Sequence, residues 1–141
     1  PDANIPVLQL SIDYNQPASY HYQLAKELAS LRKKGVLIMG SGNMVHNLGM
    51  VAWDKMNEPD YGYDWAIEMN EKFKKDILDG NHEALINYQN YGIAGKNAIP
   101  TPDHYYPLMY ILGLIEKNEK VTLFNDKVLM GSLTMTSVKV G

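Results

Sequence analysis

Two short apolar runs rich in branched side chains, IPVLQLSI (residues 5–12) and VLIMG (residues 36–40), enclose a stretch with helical spacing. This pattern constrains the fold more than any other feature of the sequence. Between the runs, Pro17 suits a first helical turn, and Tyr20, Leu24, Leu28 and Leu31 fall on one helix face. Lys33, Lys34 and Gly35 then supply a stop. Strand, helix and strand with short connections predict a right-handed βαβ unit and a sheet that is at least partly parallel.

Downstream, residues 50–62 are turn-rich, and Trp65, Met69, Phe73 and Ile77 recur every four residues up to Gly80. That period predicts an amphipathic helix packed on the core rather than a cofactor box. A shorter helix, NHEALINY, is expected with Asn81 as its cap, followed by a Gly/Pro-rich loop, GIAGKNAIPTPDH. YYPLMYILGLIEK returns to helix. KVTLFND and KVLMGSLTMTSVKV read as strands joined by a hairpin at Asn125 and Asp126. No repeat, linker or low-complexity tract divides the chain, so residues 1–141 are expected to be one unit.

Composition excludes several function classes. The 13 basic and 16 acidic residues are interspersed and give a formal charge of −3, leaving no basic stripe for a nucleic acid. The longest apolar runs fall well short of the roughly 20 residues that span a bilayer. A cytoplasmic location, without membrane or nucleic-acid partners, is the expectation. The absence of cysteine removes disulfides and thiolate sites, so any metal would be held by nitrogen and oxygen. Pro1 leads directly into a strand-like run and Gly141 directly follows another, which reads as a segment of something longer.

The stretch GVLIMGSGNMVHNLG poses the functional question. Gly40 and Gly42 after a strand begin a dinucleotide fingerprint, but Val45 stands where the third glycine belongs and no Lys-Ser or Lys-Thr pair follows. A phosphate- or nucleotide-binding module using residues 40–43, from Gly40 to Asn43, is the alternative to a turn that places His46. Of the four histidines, His21 reads as a hydrogen-bonded or surface residue of the first helix, and His82 as solvated. His46 and His104 share a different setting, each where a loop leaves regular structure. Asp103 could orient His104 or cap the helix that follows, and Tyr105 and Tyr106 could line a pocket or belong to the core.

Four phrases in order, PVLQLSID, GVLIMGSGNMVHNL, PTPDHYYPLMYILG and GSLTMTSVKVG, resemble the C-terminal half of the class III extradiol ring-cleavage dioxygenases, in the 4,5-DOPA extradiol dioxygenase branch. The resemblance covers nearly the whole chain. It implies a phosphorylase/hydrolase-like α/β fold, a mixed central sheet flanked by helices, of which this chain is the C-terminal half. It also implies a non-haem metal enzyme that opens a catechol ring beside its two hydroxyls with O2. Iron(II) is the expected metal and zinc(II) the alternative. By this resemblance His104 matches a metal-ligand position, and His46 matches a catalytic acid/base at the metal site that also contacts the metal.

The family's remaining ligand histidines lie in its N-terminal half, one of them in a His-Gly-Ser-Pro phrase that this sequence lacks. An oxygenase metal needs about three protein ligands, so the chain alone is expected to be inactive. Its expected partners are the N-terminal half of the same protein, a small catechol and O2, with a homo-oligomer left open. A degenerate half-domain with a purely structural role is a third reading.

Overall fold

The computed structural model describes Asp2 and residues 4–141. Among the described residues, five α-helices precede four short strands: α1 (Ala18–Arg32), α2 (Asp64–Leu78), α3 (His82–Ile86), α4 (Gly92–Ala98), α5 (Tyr106–Gly113), β1 (Val121–Phe124), β2 (Val128–Leu129), β3 (Leu133–Thr134) and β4 (Ser137–Val140). The α/β class expected from the sequence is the class adopted.

The core forms where the apolar stripe of α2 meets α5 and the turn before it. Met69, Phe73, Ile77, Leu85, Tyr105, Met109 and Leu112 are buried together. The Phe73 ring packs edge-on against Tyr91, with centroids 5.3 Å apart, and tilts against Tyr105 at 5.6 Å. Tyr105 is fully buried, and its hydroxyl donates to the Leu85 carbonyl at 2.9 Å, so its one polar atom is satisfied. α1 packs along α5, where Ala25 meets Tyr110 and Leu114. Gly113 permits this approach, because a Cβ there would collide with the Tyr22 carbonyl and come within 2.8 Å of the Ala25 Cβ.

The strands depart from the expected topology. Residues 5–12 and 36–40 join no ladder among the described residues; Ile12 and Ile38 pack against the α1–α5 cluster. Val7, Leu8, Leu37 and Met39 are more than three-quarters exposed. A βαβ unit needs its strands to hydrogen-bond within one sheet, and here the described ladders are both antiparallel: β1 with β4, and β2 with β3.

The hairpin also moves. It turns through Met130 and Gly131, both at positive φ, rather than at Asn125 and Asp126. Asp126 instead ties the β1–β2 connection to α2, accepting from Asn70 Nδ2 (3.0 Å), Thr136 Oγ1 (2.7 Å) and the Lys74 ammonium.

Three further expectations are corrected. Residues 92–98, read as loop, form α4, whose Gly95 fits beneath Tyr91. Asn81 does not cap α3 with its side chain, which donates to Asp76 Oδ1 at 2.7 Å. His82 is half-buried, with Nδ1 2.9 Å from the Tyr22 hydroxyl, and burial lowers its proton affinity. His21, expected to be hydrogen-bonded or at the surface, is fully buried and hydrogen-bonded: its Nδ1 lies 3.1 Å from the Tyr110 hydroxyl, and its ring tilts against Tyr106.

α5 ends at Gly113, earlier than its sequence suggests, and Arg32 satisfies the carbonyl just beyond it. Arg32 Nη1 donates to the Leu114 carbonyl at 2.7 Å, and the guanidinium forks onto both carboxylate oxygens of Glu119. The Arg32 hydrogen bonds, with the Glu116 backbone N–H behind them, hold the Glu119 carboxyl down at about 2, against an ordinary value of 4.5. A depressed folded-state value stabilises the fold above the unfolded value and is lost as pH falls through the folded one. Stability is therefore expected to fall between about pH 4.5 and 2, and Glu119→Gln should flatten that part of the urea-midpoint profile.

Candidate metal centre

The turn after residues 36–40 is built around the chain that carries His104. A Cβ at Gly42 would land inside the His104 carbonyl oxygen, and one at Gly40 would sit 2.7 Å from the Pro107 carbonyl oxygen. Two glycines thus let one backbone lie against the other, and the Asn43 N–H donates to the His104 carbonyl at 2.9 Å. The glycine pair is accounted for by chain packing. No helix starts at residue 44, and the Asn43 N–H is already committed, so the phosphate-binding geometry of a dinucleotide turn is not formed.

Immediately afterwards Met44 and Val45 are buried and anchor the segment. His46 then crosses between two other parts of the molecule. Its N–H donates to the carbonyl of Ala98, the last residue of α4, at 2.9 Å, and its backbone bridges Leu133 of β3. The flanking Thr134 N–H donates to the Val45 carbonyl, and the Asn47 N–H to the Ser132 carbonyl. Ser132 Oγ returns a hydrogen bond to the Asn47 carbonyl at 2.7 Å. Asn43 Nδ2 donates to the Thr134 carbonyl at 2.6 Å, and Asn47 Nδ2 to the Asn97 carbonyl at 2.8 Å.

These constraints bring the two imidazoles together. The His46 and His104 rings stack with centroids 3.9 Å apart and planes 12° from parallel. His104 Nδ1 lies 2.7 Å from Asp103 Oδ2. A carboxylate only accepts, so Nδ1 carries the proton in the neutral ring and Nε2 keeps its lone pair. The Asp103 carboxyl is held below its ordinary range, chiefly by the Thr101 side chain and also by its own backbone N–H and His104. Burial, aided by the positive charge His104 can carry, lowers the proton affinity of His46, which favours a neutral imidazole. His104 also lines an open groove of about 500 Å³ that runs past Gly42, Pro107 and Ile111 to β4.

Residues 1–140 match the family described as the catalytic LigB subunit of aromatic ring-opening dioxygenase. The chain belongs to the LigB family. Its relatives include the Escherichia coli (strain K12) protein named 4,5-DOPA dioxygenase extradiol, 40% identical over 144 residues that take in 100% of this chain and 52% of that protein. The Mirabilis jalapa protein of the same name is 34% identical over 89% of this chain and 45% of its own length. The crystal structure of an uncharacterized protein from Escherichia coli K12 superposes with a TM-score of 0.89 at 39% identity, covering 99% of this chain and 57% of that one. The chain spans about half the length of the curated relatives it matches.

LigB-family dioxygenases are non-haem metal-dependent, which sets a test for the donors present. Two neutral imidazole nitrogens are what a borderline first-row metal accepts, and one of them has its other ring nitrogen held by a carboxylate, as ligating histidines commonly do. Among the described residues no third histidine, cysteine or carboxylate joins them to complete a three-ligand group. The donor chemistry fits; the number falls short by about one. The other two histidines lie elsewhere, His21 in the α1–α5 packing and His82 on Tyr22. Tyr105 belongs to the core, and Asp103 bonds His104 rather than capping α5. Sequence reasoning missed the backbone partners of His46 at Ala98 and Leu133. The buried pair Met44-Val45 was the available sign that the segment is clamped.

Proposed function

We propose that this chain supplies the C-terminal half of a single catalytic domain in a ring-cleaving extradiol dioxygenase acting on a DOPA-like catechol with O2. The observation that carries the proposal is the stacked pair His46–His104, formed from distant parts of the chain and stitched in place on three sides. In this reading His104 holds the metal through Nε2, and His46 is a second candidate ligand that also serves as acid/base. Iron(II) fits the chemistry best, with zinc(II) as the alternative occupant. The bound ion would supply Lewis acidity and hold catechol and oxygen side by side.

The residues of this chain then have definable tasks. Asp103 keeps the His104 proton on Nδ1. His46, neutral through burial, takes a catechol hydroxyl proton on its free nitrogen and later returns it, the role for which an imidazole is suited. The groove beside His104 gives an aromatic ring an apolar wall at Pro107 and Ile111.

The remaining ligands are assigned to an N-terminal half of the same protein. Support comes from the share of the relatives that the chain covers and from the exposed apolar side chains of residues 5–10 and 37–39. Surfaces of that kind are seldom left open in a finished fold. Among the described residues no helix is long and apolar enough to cross a membrane; a cytoplasmic location is part of the proposal.

The test is anaerobic reconstitution of the full-length protein with iron(II), followed by oxygenated buffer and a panel of catechols. A yellow ring-opened product from a DOPA-like catechol is the expected result. No product from any member of the panel, at full metal loading, would remove the proposal.

A further inference from the structure

We propose that Asp103 is a positioning residue that fixes the tautomer and ring orientation of His104. This rests on the reading of His104 as a metal ligand. Three observations converge on it. First, Oδ2 lies 2.7 Å from Nδ1 within a turn whose own backbone is pinned, since the Tyr105 and Tyr106 N–H groups both donate to the Pro102 carbonyl at 2.9 and 2.8 Å.

Second, Asp103 has no helix to cap: the N-cap of α5 is Tyr105, and no side chain caps it. Third, everything else holding His104 acts on its backbone or its ring face, through Asn43, the Gly42 cradle and the His46 stack. None of these distinguishes Nδ1 from Nε2, because a stacked ring flipped by half a turn keeps the same face contact. The carboxylate is the contact that does distinguish them. It leaves the Nε2 lone pair unprotonated, as a ligating imidazole needs.

The experiment measures ¹⁵N imidazole shifts of His104 in the full-length, metal-free protein, and zinc(II) affinity by competition with a chromophoric chelator. Wild type, Asp103→Ala and Asp103→Asn are compared. Asp103 is half-exposed and outside the core, so all three are expected to unfold within a few degrees of one another. In the wild type His104 should be the Nδ1–H tautomer. Asp103→Ala should shift it toward Nε2–H and weaken zinc binding by about 10- to 100-fold, while Asp103→Asn, which keeps an acceptor oxygen, should lose less on both counts. An unchanged tautomer in Asp103→Ala overturns the proposal, whatever the zinc affinity. A shifted tautomer in a protein whose wild type binds no zinc would uphold the role of Asp103 and remove His104 as a metal ligand.

Discussion

His46→Ala is expected to lower the ring-opening rate of the full-length protein by about 10²–10⁴-fold, the usual contribution of a positioned acid/base, with little change in thermal stability. The fold should tolerate the change because His46 is held through its backbone, by the Ala98 carbonyl and the Leu133 bridge, and its ring is only half-buried. His104→Ala should act differently. Its ring carries the free Nε2, so metal retention is expected to fall further than in His46→Ala, together with turnover. Stopped-flow detection of product, alongside metal analysis of the purified variants, separates the two. If His46→Ala turns over at the wild-type rate at full metal loading, the acid/base role is lost.

Gly42→Ala is the second large effect, and it reaches the site without touching either imidazole. The added methyl would sit 2.1 Å from the His104 carbonyl oxygen, and backbone cannot yield as a flexible side chain does. Either the turn of residues 40–43 or the turn carrying His104 must shift, and the Asn43 N–H hydrogen bond between them is lost. Overpacking of this kind costs about 1–3 kcal/mol, and a displacement on the order of 1 Å at a reacting group costs about 10²-fold in rate. Thermal denaturation and steady-state turnover would measure the two effects. Gly49→Ala in the neighbouring surface turn, where the nearest contact is the end of the Asn47 side chain at 3.3 Å, is the control and should change neither by much.

Much of the helical part of this fold was legible because it is locally determined. The spacing of Tyr20, Leu24, Leu28 and Leu31 predicted α1, although the residues it buries fully are Ala18, His21 and Ala25; Trp65, Met69, Phe73 and Ile77 predicted α2, and all but the half-buried Trp65 lie on its buried face. The pairing of His46 with His104 was anticipated from their settings and from the family likeness, and the rings do meet. Features decided by distant partners were not legible. Asn125-Asp126 carries hairpin chemistry, but Lys74, Asn70 and Thr136 claim the aspartate, and the turn forms at Met130-Gly131. α4 contains two glycines, and a sequence reading penalises both without knowing that Gly95 must fit under Tyr91. His21 reads from the sequence as hydrogen-bonded or at the surface, and of the two it is the hydrogen-bonded residue; its full burial was not legible because nothing near it in sequence announces that Tyr106 and Tyr110 will close over it.

The two runs that enclose α1 have a practical consequence. With Val7, Leu8, Leu37 and Met39 turned to water, this polypeptide handled by itself should behave as an adhesive. It should light up a naphthalene-sulfonate dye in its native state, bind tightly to phenyl resin and precipitate early in ammonium sulfate. Anyone purifying it for spectroscopy will need either detergent at low concentration or a partner that covers these side chains.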